Sequence, residues 1–162
     1  MRWEEMQEET CSVARTLSVI GDRWTLLILR DAFLRVRRFE DFQKKLGISR
    51  HRLSERLKKL VKQGVMAKVQ YQSSPPRYEY RLTEKGIDLY PVIMMMVRWG
   101  DKWMDDGNGA PMVYRHKSCG EHFTPVISCS ECHEPLKARE VIPEYGPGLL
   151  AAGNHKEPGG GL

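Results

Sequence analysis

The stretch Ser49-Arg50-His51-Arg52-Leu53-Ser54-Glu55-Arg56-Leu57-Lys58-Lys59-Leu60-Val61-Lys62-Gln63-Gly64 decides the fold. Its apolar residues are Leu53, Leu57, Leu60 and Val61, spaced i, i+4, i+7 and i+8, which is one face of an α-helix. Every other position is polar or basic. Ser49 stands where an N-cap is needed, because its hydroxyl can accept from an amide that has no helical partner. Gly64 ends the pattern. A helix with a single apolar stripe must lie against something, and the flanking sequence supplies it.

Upstream, Phe39 to Leu46 (FEDFQKKL) predicts a short helix with Phe39, Phe42 and Leu46 on one face, stopped by Gly47. Two helices joined by a short glycine-containing turn, the second one basic, make a helix-turn-helix. Downstream, Val65 to Tyr71 and Tyr78 to Leu82 predict strands, because they are β-rich and YEYRL alternates. The turn-rich segment Gln72-Ser73-Ser74-Pro75-Pro76-Arg77 joins them. A hairpin directly after the basic helix is a wing. The expected fold class is therefore mainly α with a small β-hairpin: a winged helix-turn-helix, plus a small β-rich C-terminal appendage.

Farther out, Val13, Leu17 and Ile20 recur at helical spacing. Gly21-Asp22 breaks that run, and Asp22 is a candidate N-cap for a buried helix from Trp24 to Leu34. Thr83 with Glu84 and Lys85 starts another helical stretch. From Ile87 to Met104 two apolar stripes run together. Leu89, Val92, Met96, Trp99 and Trp103 form one; Ile87, Tyr90, Met94, Val97 and Met104 form the other. A helix apolar on two sides needs two surfaces, and a second subunit is expected to provide one of them. Pro91 marks a kink or a fresh first turn. The expected organisation is an N-terminal segment (1–10), the winged domain (11–108), a Cys/His-containing appendage (109–142) and a Gly/Pro-rich disordered tail (143–162).

Charge is focused. The chain has 162 residues and a net charge of +5. From Arg35 to Lys62 there are eleven Lys/Arg against three acids, a surplus larger than that of the whole chain. This concentration points to a nucleic-acid partner, double-stranded DNA. The longest apolar run, Val92 to Val97, is far short of the ~20 residues that span a bilayer. The N-terminus MRWEEMQEET lacks the apolar segment of a signal peptide, so a cytoplasmic location with no membrane partner is expected. No nucleophile, base and orienting group emerge together, so an enzyme is not expected.

In the DNA reading, Arg50, His51 and Arg52 project toward base edges, where the Arg fork can donate to both guanine acceptors. Ser49, Ser54 and Glu55 are near enough to take part. Arg56, Lys58, Lys59 and Lys62 are expected on phosphates or helix flanks. Arg37 and Arg38 are candidates for backbone anchoring, although an exposed turn or an internal salt bridge accounts for one of them equally well. Ser73 and Arg77 in the wing are candidates for phosphate and minor-groove contact, the alternative being an ordinary exposed loop.

Taken in order, Cys11, Ile20-Gly21-Asp22-Arg23-Trp24-Thr25-Leu26-Leu27-Ile28-Leu29, Arg38-Phe39, Gly47-Ile48-Ser49, Leu53, Leu57, Leu60, Gly64, Pro76, Glu79-Tyr80 and Leu82-Thr83-Glu84-Lys85-Gly86 resemble the HxlR-type winged helix-turn-helix regulators. The resemblance covers roughly residues 11–108. It implies a transcription regulator, more often a repressor than an activator, that binds a pseudo-palindromic operator as a homodimer through its terminal helices. Asp22 departs from the Gly-Gly-Lys type of sequence usual there, with no consequence visible in the sequence. Some members of the family sense oxidants through a cysteine at the Cys11 position, so an oxidant or small-molecule effector is implied. The alternative for Cys11 is a half-buried small apolar residue at the domain edge.

The last third carries His116-x2-Cys119-x9-Cys129-x2-Cys132. Two such pairs suit one tetrahedral structural zinc ion, with His122 and His133 as competing fourth ligands. A zinc- or redox-responsive switch with DNA binding as its output is the second functional expectation. Free thiols in a β-tail are the alternative.

Overall fold

A computed structural model describes residues 3–151. The chain divides into two compact units, Met1–Met94 and Met95–Leu162. The division falls inside a helix.

In the first unit, α1 (Trp3–Glu8) and α2 (Ser12–Ile20) precede α3 (Arg23–Phe33). The helix-turn-helix pair is α4 (Phe39–Leu46) and α5 (Arg50–Lys62). Gly47 closes α4 in the left-handed region at φ +61°, a conformation that costs glycine nothing and turns the chain sharply. Ser49 then caps α5, accepting from the Arg52 amide at 3.4 Å. The wing is an antiparallel hairpin of β1 (Met66–Gln72) and β2 (Arg77–Leu82), paired Met66↔Leu82 through Gln70↔Tyr78. A register shift between Gln70 and Gln72 makes room for Tyr71 as an extra residue. The short α6 (Glu84–Ile87) follows, capped by Thr83, whose hydroxyl accepts from the Gly86 amide at 3.2 Å.

The core is continuous across these elements. Ile28 and Leu29 of α3, Phe42 of α4 and Leu53, Leu57 and Leu60 of α5 are completely buried, with Ile20, Ile48, Val65, Met66 and Ile93 packed among them. The three α5 leucines are the stripe read from sequence. Burying one such side chain contributes about 1.5–3 kcal/mol, so this stripe anchors the helix and leaves its opposite face free. Gly86 sits so close to Val65 that a Cβ there would overlap the Val65 carbonyl oxygen, which locks the hairpin base to α6.

Helix α7 (Tyr90–Trp103) starts anew after Asp88 and Leu89, with Pro91 in its first turn, the fresh-start alternative read from sequence. Its buried residues are Ile93 and Met94. The expected stripes leave out Ile93, which the structure buries next to Met94. Val92, Met96, Trp99 and Trp103 lie exposed along one line of the helix, and Trp99 and Trp103 keep 59% and 65% of their surface.

In the second unit, the α7 residue Arg98 donates from Nη1 to the Pro125 carbonyl at 2.8 Å. Two-residue strands β3 (Tyr114–Arg115) and β4 (His122–Phe123) pair antiparallel, and an isolated bridge joins Ser128 to Pro135. A 3-10 turn (Ala138–Glu140) and helix α8 (Pro147–Ala151) follow. The β-lean of 110–142 thus yields two small hairpins. Within the expected disordered tail, residues 147–151 are helical, since Pro147 suits a first helical position and Leu-Leu-Ala propagates it. The remainder of that tail, 152–162, lies outside the described residues.

Candidate nucleic-acid interface

Helix α5 presents the basic side chains that the charge pattern singled out. At 100° per residue, His51, Glu55, Lys58 and Lys62 lie opposite the buried leucines, and all four are exposed. Arg50 and Arg52 are exposed on either flank of the first turn, while Ser54 is half-buried. His51 Nδ1 stands 3.4 Å from the Glu55 carboxylate. Ser49 is exposed but has its hydroxyl committed to the cap.

Two of the residues expected on phosphates or helix flanks lie on a flank, engaged with the rest of the domain. Arg56 turns inward to Asp22, with Nε donating to Oδ1 at 2.8 Å and Nη2 to Oδ2 at 3.4 Å. Lys59 donates to the Ser18 carbonyl at 2.7 Å. Both project from the α5 flank that packs beside the end of α2 and the start of α3. Their charges hold the helix to the core. Asp22 in turn caps α3, accepting from the amides of Trp24 at 3.1 Å and Thr25 at 3.2 Å. Burial alone would push its carboxyl up, but Arg56 and these two amides together hold it below the usual 3.8.

Beside the first turn of α5 lies a polar groove of about 540 Å³ that reaches to the wing and brings Arg50, Lys68 and Arg77 to one surface, with Glu40 the acid among them. Aromatic rings support the cations here. The Arg50 guanidinium lies 5.1 Å from the Phe39 ring centre, that of Arg38 4.9 Å from Tyr71, and the Lys68 ammonium 4.2 Å from Tyr78. A cation over an aromatic face is attracted by the ring quadrupole and loses rotamer freedom before any ligand arrives. Burial, with Glu40 nearby, pushes the Tyr80 phenol up.

Arg37 and Arg38 are exposed in the turn ahead of α4. The Arg37 carbonyl accepts from the Tyr80 amide at 2.7 Å, tying this turn to β2. Ser73 is exposed at the wing tip and Arg77 opens β2. Sequence reading missed Lys68, Tyr71 and Tyr78. Lys68 pairs with Tyr80, so Tyr78 is its diagonal neighbour two residues away, a register that the hairpin's bulge sets and spacing alone does not.

Cys11 is exposed at the N-cap of α2 and makes no side-chain cap bond, so the half-buried alternative does not hold. Next to it, Ser12, Arg15, Val19, Ile20, Lys85 and Leu89 help line a mainly apolar cavity of about 380 Å³.

In the second unit, the expected metal ligands stand as two pairs. Cys119 Sγ lies 3.4 Å from His116 Nδ1, and Cys129 Sγ accepts from the Glu131 amide at 3.4 Å. The Cys132 and Glu131 amides, assisted by the Cys132 side chain, hold the Cys129 thiol below its ordinary value. Among the described residues no three His, Cys, Asp or Glu side chains converge as a metal-binding group. Each pair sits in its own hairpin.

No helix among the described residues is long and apolar enough to cross a membrane. The model of the HxlR-like helix-turn-helix family matches residues 19–108. The HTH-type transcriptional regulator Rv3095 of Mycobacterium tuberculosis (strain ATCC 25618 / H37Rv) is 49% identical over 140 residues, which is 86% of this chain and 89% of that protein. An alignment of 140 residues cannot be contained within residues 1–108, so it reaches into the Cys/His appendage. The crystal structure of PA1607, a candidate transcription factor, superposes with a TM-score of 0.78 at 34% identity, covering 88% of this chain and 99% of that one. The redox regulator HypR in its reduced form superposes with a TM-score of 0.54 at 31% identity, over 59% of this chain and 95% of its own. With a capped basic helix, a wing and these matches together, the chain belongs to the HxlR-like helix-turn-helix family of transcriptional regulators, which are DNA-binding proteins and not enzymes.

Proposed function

We propose that the protein is a homodimeric repressor of a pseudo-palindromic operator, reading bases with the first turn of α5 and gripping phosphates with the wing. The observation that carries this reading is the exposed set Arg50, His51 and Arg52 on a helix whose other basic flank, Arg56 and Lys59, is already committed to the core. Of the remaining cations, Arg50 opens onto the groove shared with Lys68 and Arg77, while His51 and Arg52 stay exposed on the same turn. The exposed line Val92, Met96, Trp99 and Trp103 on α7 supports a second copy as the partner, since an apolar stripe of that length is costly to leave in water. Bound over a promoter, such a dimer would exclude polymerase.

Selection of bound sequences from a random DNA pool tests this. Two inverted half-sites about one helical turn apart are expected. Recovery of single, unpaired half-sites would refute the dimeric mode. Absence of any enriched sequence would refute base readout.

A second reading makes DNA binding the output of a redox signal received at Cys11. It is favoured by the exposure of that thiol and by the likeness to a redox regulator. A small-molecule signal would find the cavity beside Arg15 and Lys85 a fitting receptor. Peroxide treatment of wild type and Cys11→Ser, followed by operator titration, decides the redox version. Loss of affinity in wild type alone supports it, and equal behaviour of the two removes it.

A further inference from the structure

The two Cys/His turns of the second unit have one and the same backbone. In the first, the His116 amide donates to the Glu121 carbonyl at 2.8 Å, and the Gly120 amide donates back to the His116 carbonyl at 2.8 Å. In the second, the Cys129 amide donates to the Glu134 carbonyl at 2.9 Å, and the His133 amide to the Cys129 carbonyl at 3.0 Å. The offsets agree: the first residue bonds the sixth, and the fifth bonds back to the first. The fifth residue is left-handed in both, at φ +78° for Gly120 and +62° for His133. Flanking pairs also correspond, Arg115↔His122 in one and Ser128↔Pro135 in the other. The chain builds one six-residue hairpin twice, and on it His116 matches Cys129 and Cys119 matches Cys132.

This correspondence settles which histidine belongs with the three thiols. His133 occupies the Gly120 position, the fifth, which carries no donor in the first hairpin. His122 lies beyond the turn, on β4. His116 alone stands at a donor position. Its Nδ1 is 3.4 Å from Cys119 Sγ. On a tetrahedral zinc with Zn–S near 2.3 Å and Zn–N near 2.0–2.1 Å, adjacent N and S ligands lie about 3.5 Å apart. The first hairpin already holds one edge of that tetrahedron. In the second, the Glu131 amide donates to Cys129 Sγ, the kind of bond that stabilises a thiolate ligand.

We propose that His116 Nδ1, Cys119, Cys129 and Cys132 are the four ligands of a single structural Zn²⁺ ion. Among the described residues no three of these donors converge; on this proposal each hairpin brings one edge of the tetrahedron, and binding the ion requires the two hairpins to close on it. Binding releases three thiol protons to solvent, and neutral His116 gives its Nδ1 lone pair, which leaves the centre with a charge of −1. Four protein ligands leave no coordination position for a substrate, so the role is structural. The module needs such a staple: from residue 102 to 144 only Tyr114, Pro125 and Cys129 are even half-buried.

The test is a Co²⁺ titration of the full-length protein, reduced and stripped of metal with a chelator. Saturation at one Co²⁺ per chain, with a thiolate-to-cobalt absorption band and displacement by Zn²⁺, is the expected result. Cys11→Ser, His122→Ala and His133→Ala should titrate as wild type. Cys129→Ser and His116→Ala should bind at least about tenfold more weakly, the loss expected when even a ligand-orienting group is removed. His116→Ala retains all thiols and remains decisive if Cys129→Ser fails to fold. Absence of saturable Co²⁺ binding overturns the proposal. So does wild-type binding by His116→Ala, or loss of binding in His122→Ala or His133→Ala.

Discussion

Arg56 of α5 reaches across 34 residues of sequence to the carboxylate of Asp22, the N-cap of α3, with Nε donating to Oδ1 at 2.8 Å. A single carboxylate thereby ends one helix correctly and fixes the orientation of another. Asn caps a helix about as well as Asp, whereas Ala does not. Asp22→Asn therefore removes the ionic link alone, and Asp22→Ala should cost about 1 kcal/mol more in urea unfolding. The carboxyl is held below its ordinary value in the folded protein. Its contribution is then complete above the unfolded-chain value of about 3.9 and is lost as pH falls through the lower folded value. The stability gap between wild type and Asp22→Asn should shrink below about pH 4. A gap that stays constant on acidification would contradict the assignment. Arg56→Ala should lower stability without changing the salt dependence of DNA binding.

Much of this was legible in the sequence, and the reason is local. Leu53, Leu57 and Leu60 declared their helix by spacing, Gly47 its turn and Ser49 its cap, because each acts within a few residues. Asp22 was legible as a cap and not as the partner of Arg56. That pairing depends on how α5 packs beside α3, which no spacing encodes. The same holds for the aromatic seats of Arg38 and Lys68, made only when the wing folds back. The two Cys/His pairs were visible as a pattern, but that they share one hairpin geometry required the backbone.

Arg50 and Arg52 flank the exposed first turn of α5. If they read bases, each Ala substitution should cost about 1–3 kcal/mol at the operator and relax preference at one position of the half-site. Competition titrations with operator and random DNA distinguish base contact from bulk charge. Equal losses on both DNAs would reassign the residue to phosphate.

On the proposed reading, Lys68 belongs to the other class. Its ammonium rests 4.2 Å from the Tyr78 ring centre, on the wing side of the groove. Lys68→Ala should weaken binding to all sequences alike and reduce the slope of log K against log salt by about 1. Tyr78→Leu keeps the charge and removes its seat. A cation–π contact at an exposed site is worth about 0.5–1 kcal/mol, so this variant should lose affinity by that amount while keeping the wild-type slope. An unchanged slope for Lys68→Ala would mean that this lysine does not meet the backbone.

Trp99 lies mid-way along the apolar line of α7 and keeps 59% of its surface exposed. Val92, Met96 and Trp103 continue that line on either side. A carboxylate placed at its centre would have to be desolvated on pairing with a second copy, a cost that pairing with Lys102, whose ammonium lies 4.7 Å from the Trp103 ring centre, offsets only in part. Trp99→Glu should therefore sediment as a monomer. The folded core should persist, because Ile93 and Met94, the buried residues of the helix, are untouched. A monomer engages one half-site at a time and forfeits the gain from two linked contacts, so operator affinity should fall about 10²–10⁴-fold. Affinity for an isolated half-site should not change. A Trp99→Glu protein that still sediments as a dimer would place the subunit interface elsewhere. A monomer with undiminished operator affinity would separate dimerisation from recognition.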